Sequence, residues 1–150
     1  MNHIETALQI AMIAHSEQKD KGGKPYILHP MKVASMQKKE ECIITALLHD
    51  VVEDSSYTID DLRMHGFSEE ILEAVRLLTH DEDIPYVYYI LAIKDNDIAR
   101  SVKIADLLHN SDLSRLETVT PEDEVRCRKY NTAMHLLSQN FNSEEFLYSY

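Results

Sequence analysis

Three observations predict an all-α domain. Apolar residues recur at helical spacing in one segment after another, and no segment of useful length alternates apolar with polar side chains. Breakers are also sparse, with three glycines and four prolines among 150 residues, which favours long helices. A chain of that length suits a single domain, residues 1–150, that buries a core without disulfides or a structural metal.

The elements follow in order. Residues 2–19 place Ile4, Ala7, Leu8, Ala11, Met12 and Ala14 at helical spacing and predict an amphipathic first helix. The stretch "KDKGGKPYILHP" is a basic, glycine-containing loop, and Pro30 suits the start of a second helix. Residues 40–54 read as one central helix, nearly all apolar from Cys42 to Leu48. "TIDDLRMHG" predicts a short helix capped by Thr58 with Gly66 behind it, and "SEEILEAVRLLTH" another with Ser68 as its N-cap. Helices over 86–94, 97–110 and 121–140 complete the set, with no repeats or linkers.

Composition narrows the function. A formal charge of −11 argues against a general nucleic-acid surface, which needs clustered Lys and Arg to neutralise phosphates. A small anionic ligand requires a local cationic device, a metal ion or a short basic segment. No run of about 18 apolar residues and no basic-then-apolar leader is present, so a membrane partner is not expected and the cytoplasm is. Cys42 and Cys127 are far apart, without a CxxC pattern, and read as reduced thiols.

The chemistry concentrates in "ALLHDVVEDS", Ala46 to Ser55. Burying charge is expensive unless it is paired or bound to a metal. On a continuous helix Glu53 follows His49 by four positions and Asp50 by three, so these groups share a face while Leu47, Leu48, Val51 and Val52 serve the core. "PYILHP" adds His29 just before a helix start, and "VKIADLLHN" sets Asp106 among apolar residues, with Lys103 and Asn110 at i−3 and i+4 on its side. His29, His49, Asp50 and Asp106 would make a mixed nitrogen and oxygen site for a divalent ion. The second His-Asp pair, His80-Asp81, runs into Glu82, Asp83 and Pro85 and reads as a solvated helix end. His15 reads as a satisfied core histidine, His109 as a residue orienting a neighbour, and Tyr86, Tyr88 and Tyr89 as core or wall aromatics.

Taken together, "AHSEQKDKGGKPYILHP", "ALLHDVVEDS" and "VKIADLLHNSDLSR" resemble, in order, the motifs of HD-domain hydrolases of the RelA/SpoT type, in particular the small stand-alone (p)ppGpp hydrolases. The similarity runs from His3 to Leu137. It implies an HD-domain helical bundle, one bound metal, usually Mn2+, and removal of the 3′-diphosphate from (p)ppGpp. By motif, His29, His49, Asp50 and Asp106 match the metal ligands, and Glu53 and Asp54 the catalytic acidic pair. Asn110 matches a nucleotide contact, and Lys21, Lys24, Tyr26, Lys103 and Arg115 join it as expected substrate-binding residues.

The loop departs from that pattern at Asp20. The resemblance implies a basic residue there, ahead of the motif's lysine, that stacks on the purine, and a carboxylate offers no such stacking. The same metal site acting on NADPH or a nucleoside phosphate is therefore an alternative, as is a non-catalytic HD domain that senses a nucleotide. With no synthetase region after the HD part, any activity is expected to be hydrolytic only.

Overall fold

The computed structural model describes residues 2–139. Helices α1 (His3–Ala14), α2 (Leu28–Ser35), α3 (Glu40–Leu48), α4 (Val51–Asp54), α5 (Ile59–Met64), α6 (Glu69–Leu78), α7 (Tyr86–Lys94), α8 (Asp97–Asn110) and α9 (Pro121–Ser138) follow one another, with a 3₁₀ turn at Leu113–Arg115. No strand occurs among the described residues, as the missing alternation predicts.

Helix starts follow side-chain chemistry. Thr58 and Thr120 close capping boxes with Asp61 and Asp123, and Ser68 and Asn96 accept hydrogen bonds from Ile71 and Ala99 N–H. Pro30 falls in the first turn of α2, where the backbone N–H it lacks would have no partner within the helix. Gly66 takes φ 92° directly behind the C-cap of α5, a conformation that disfavours any side chain.

Helix α3 is the axis of the molecule. Ile44, Ala46, Leu47 and Leu48 are buried, and the helix packs on α1, α2, α6 and α8. The α7 and α8 helices lean in turn on α9, whose Ala133, Leu136 and Leu137 complete the core.

Two expected boundaries differ. The first helix stops at Ala14 rather than 19, because Glu17 adopts φ 68° and turns the chain into the loop. The continuous helix expected over 40–54 breaks at His49-Asp50, where Asp50 sits at φ −107°, ψ 0°. Residue 140, the expected end of the last helix, lies outside the described residues.

Candidate active site

The break between α3 and α4 builds the site. Neighbouring residues of an unbroken helix point about 100° apart. Leaving helical geometry at Asp50 lets His49 and Asp50 face one point together. His49 Nε2 and Asp50 Oδ2 are 3.0 Å apart, and His29 Nε2, from the first turn of α2, lies 2.8 Å from Asp106 Oδ1 on α8. Across the cluster, His29 Nε2 is 3.9 Å from Asp50 Oδ2, and His49 Nε2 is 3.5 Å from Asp106 Oδ1. One donor atom from each of the four residues lies within 4.8 Å of the others.

Each candidate ligand is oriented from behind. His49 Nδ1 lies 2.5 Å from the Ala46 carbonyl, which makes Nδ1–H the donor and leaves Nε2 as a lone pair turned inward. His29 Nδ1 lies 2.7 Å from His109 Nδ1, with the rings stacked 5.0 Å apart. Burial, then Arg115, lowers His109 to about 4, so it stays neutral and its Nδ1 can accept a hydrogen bond from the Nδ1–H that His29 must carry if its Nε2 is to ligate. Lys103 Nζ donates to Asp106 Oδ2 and Asn110 Nδ2 to Oδ1, both at 2.9 Å. The Tyr26 hydroxyl donates to Asp50 Oδ2. Burial and Asp50 both push that phenol well up, so it remains a donor.

The donor set fits a divalent cation. Among the described residues, buried His49 Nε2 lies 3.0 Å from Asp50 Oδ2 yet makes no hydrogen bond of acceptable angle, a state that a buried polar atom rarely keeps without a ligand. Burial works against charge on His49, yet the carboxylates of Asp50 and Asp106 raise its pKa well above the usual imidazole value. Burial likewise opposes ionisation of Asp50, and His49 nevertheless holds it down to about 2. The cluster attracts positive charge, and mixed imidazole and carboxylate donors suit Mn, Fe or Zn.

The acidic pair lies on α4, immediately after the candidate ligands His49 and Asp50. Glu53 Oε1 accepts the backbone N–H of His80 at 2.9 Å, and burial raises the Glu53 pKa. Burial, with Asp50 and Glu53 adding repulsion, lifts Asp54 to about 6. A carboxyl in that range can hold or release a proton near neutrality.

Beside the cluster opens a cavity of about 340 Å³, lined by the 19–22 loop, Tyr26, His29, Asn110, Arg115, Arg126 and Tyr130. Burial and then Arg126 lower the Lys21 pKa while Asp123, the ion-pair partner of Arg126, raises it, so Lys21 and Arg126 stand near one another with an acidic group offsetting their repulsion.

Most of the expected residues meet here, and some do not. Lys21, Tyr26, Asn110 and Arg115 line the cavity, whereas Lys24 is exposed and does not. Lys103 is held beneath Asp106, its Nζ 5.1 Å from the Tyr89 ring centre. Tyr89 is buried, and Tyr88, though largely exposed, joins it and His80 in lining a separate groove, so both are wall aromatics but not of this cavity. His15 is buried as expected but only half satisfied: Nδ1 meets Gln18 Oε1 at 2.9 Å while Nε2 has no hydrogen-bond partner among the described residues. His80 is more than a solvated helix end, since its N–H anchors Glu53 and its ring lies 4.5 Å from that of Tyr89. Arg126 and Tyr130 are additional cavity residues, one helical turn apart on α9, a spacing that marks a shared face and nothing about its ligand.

Residues 7–104 match the family model described as an HD domain. The chain belongs to the HD-domain family. This HD-domain chain is 34% identical over 139 residues to the Homo sapiens protein named guanosine-3′,5′-bis(diphosphate) 3′-pyrophosphohydrolase MESH1, covering 83% of this chain and 76% of that one. It is also 34% identical over 119 residues to a guanosine-3′,5′-bis(diphosphate) 3′-pyrophosphohydrolase of Aquifex aeolicus, covering 71% of this chain but only 17% of that relative's length. A solved structure, described as a metazoan ortholog of SpoT that hydrolyzes ppGpp, superposes with a TM-score of 0.77 at 24% identity, over 95% of this chain and 89% of that chain, and shows the same fold. Among the described residues, no helix of the HD-domain chain is long and apolar enough to cross a membrane.

Proposed function

We propose that the chain is a metal-dependent phosphohydrolase that removes the 3′-diphosphate of (p)ppGpp, giving GDP or GTP and pyrophosphate, in the cytoplasm. The observation that carries this reading is the convergence of His29, His49, Asp50 and Asp106 on one point directly ahead of the acidic pair Glu53-Asp54. The names of the relatives support the substrate.

His29, His49, Asp50 and Asp106 would hold the ion, for which we propose Mn2+. When bound, it supplies Lewis acidity, acidifying water and polarising a phosphoryl oxygen. The chain's own groups do the rest. Glu53, fixed by the His80 N–H, orients the attacking water and takes its proton, while Asp54, with a pKa of about 6, relays it. Lys21, Arg126 and Asn110 line the cavity and receive the phosphates, and Tyr26 keeps Asp50 turned inward. A second substrate, NADPH or a nucleoside phosphate, is favoured by one observation: Asp20 is engaged within the protein and brings no stacking cation to the base.

The test is a substrate panel with two variants. Mn-loaded protein given ppGpp, NADPH and nucleoside monophosphates should release pyrophosphate from ppGpp. Asp106→Ala should lose both metal and activity, and Glu53→Ala should keep metal and lose activity. Turnover of another nucleotide with ppGpp untouched would reassign the substrate, and full activity in both variants would overturn the site.

A further inference from the structure

Asp20 and Arg115 stand 95 positions apart in sequence and meet at the cavity rim, Arg115 Nη2 donating to Asp20 Oδ2 at 3.3 Å. Neither group is free to bind a ligand. The other arm of Arg115, Nη1, donates to the His109 carbonyl at 2.8 Å, so the guanidinium bridges the loop to the last turn of α8. Asp20 Oδ1 accepts the Lys24 N–H at 2.9 Å, and the Asp20 backbone exchanges bonds with Lys24 O at 2.8 Å and Gly23 N at 3.0 Å. The loop is thus closed on Asp20, and Asp20 is closed on Arg115. Gly22 completes the contact: a Cβ built there would lie 2.9 Å from the Arg115 carbonyl oxygen, so the two backbones touch.

We propose that the Asp20–Arg115 pair is a latch that positions the 19–25 loop, and with it Lys21, at the cavity that Arg126 also lines, making both members positioning residues for nucleotide binding rather than ligands of the phosphates. The inference rests on the nucleotide-hydrolase reading of the site. Lys21 is exposed where it lines the cavity, repelled by Arg126 and attracted by Asp123, so its place there follows that of the loop backbone. A partly buried bridge that bonds a carboxylate and a carbonyl at once is the kind of contact that fixes such a loop. The latch also accounts for an acidic residue in a phosphate-binding loop: the carboxylate is turned onto Arg115 and the Lys24 N–H, so its charge is compensated before an anion arrives.

The test uses the full chain, Mn-loaded, as D20N, R115M, R115K and the double variant D20N/R115M. Two readouts are taken: amide hydrogen exchange of residues 21–24, which needs no substrate, and KM against kcat for ppGpp hydrolysis. The latch predicts faster loop exchange in each single variant and KM raised about tenfold with kcat within twofold, the loss of one charge-assisted hydrogen bond. D20N/R115M should be no worse than either single variant, and R115K, which keeps charge but cannot span both acceptors, should fall between parent and R115M. Unchanged loop exchange in D20N and R115M would overturn the latch. So would loosened exchange with KM unmoved, or strictly additive losses in the double variant. If the parent protein does not hydrolyse ppGpp, the substrate reading fails separately, and the exchange data still decide whether the latch holds the loop.

Discussion

Lys103 Nζ and Asp106 Oδ2 lie 2.9 Å apart on one face of α8, with the lysine side chain 12% and the aspartate 7% exposed. Burial opposes both charges, yet each holds the other ionised: Lys103 well above, and Asp106 well below, its usual pKa. The lysine therefore keeps Asp106 an anion while Oδ1 stays turned to His29.

Removing that lysine should leave a buried carboxylate without its cation. In chelator-treated protein, Lys103→Met is expected to lose about 3 kcal/mol of stability, the usual consequence of breaking one half of a buried pair. Saturating Mn2+ should recover part of it. Urea unfolding with and without the ion measures both quantities, and a variant as stable as the parent under chelation would refute the pairing.

Asp54 gives a pH signature of the opposite sign to an ordinary ion-paired carboxylate. Its pKa is raised to about 6, so ionisation is disfavoured in the folded chain, and the folded protein takes up a proton where the unfolded one does not. Stability is then lost as pH rises from about 4 through 6. In chelator-treated protein, Asp54→Asn should be more stable than the parent above pH 6, by about 1 kcal/mol after discounting for solvent screening, and equal to it below pH 4. Melting curves from pH 4 to 8 test the crossover.

The His80 N–H can be deleted without deleting the imidazole's neighbours. Thr79 sits at φ −82°, ψ 110°, a conformation that accepts a following proline. His80→Pro should lower kcat about tenfold by releasing Glu53, with metal content unchanged, whereas His80→Ala keeps the N–H and should stay near the parent. Equal losses in both would assign the effect to the ring.

At Gly22 even a methyl group meets backbone. Gly22→Ala should displace the loop from the Arg115 carbonyl and raise KM for the nucleotide with kcat held. A crystal structure or loop amide exchange of the variant would show whether the loop has moved.

Chelation should lower the melting temperature without unfolding the chain. An ion present at a hundredfold excess over its Kd adds about 2.7 kcal/mol, or roughly 5–10 °C for a domain of this size. The core around α3 remains, so the far-UV circular dichroism below the transition should be unchanged.

How much of this was legible follows from which physical signals are linear in sequence. His49, Asp50 and Asp106 stood out because they interrupt apolar runs, and helical spacing puts Lys103 and Asn110 on the side of Asp106, although the motif reading assigns both to the substrate rather than to the hydrogen bonds they make with that carboxylate. The break at His49-Asp50 carries no glycine or proline, so nothing local announced it. His80 acts on Glu53 through a backbone N–H, which residue identity does not encode. Arg126 and Tyr130 reach the cavity only through the packing of α9 on α8, and the partnership of Asp20 with Arg115 exists only once the loop and the 3₁₀ turn are brought together.

The wide separation of His29 from Asp106, 77 positions, has a consequence for biosynthesis. No shorter stretch of the chain contains all four proposed donors, so an emerging polypeptide holds only His29, His49 and Asp50 of the set until residue 106 has been added. Closing the intervening segments must then precede or accompany capture, and the ion's affinity is drawn from the free energy of the finished tertiary structure. Metal content in a purified preparation would therefore act as a gauge of native protein, and variants weakened anywhere in the core should emerge under-loaded even when their donor atoms are intact.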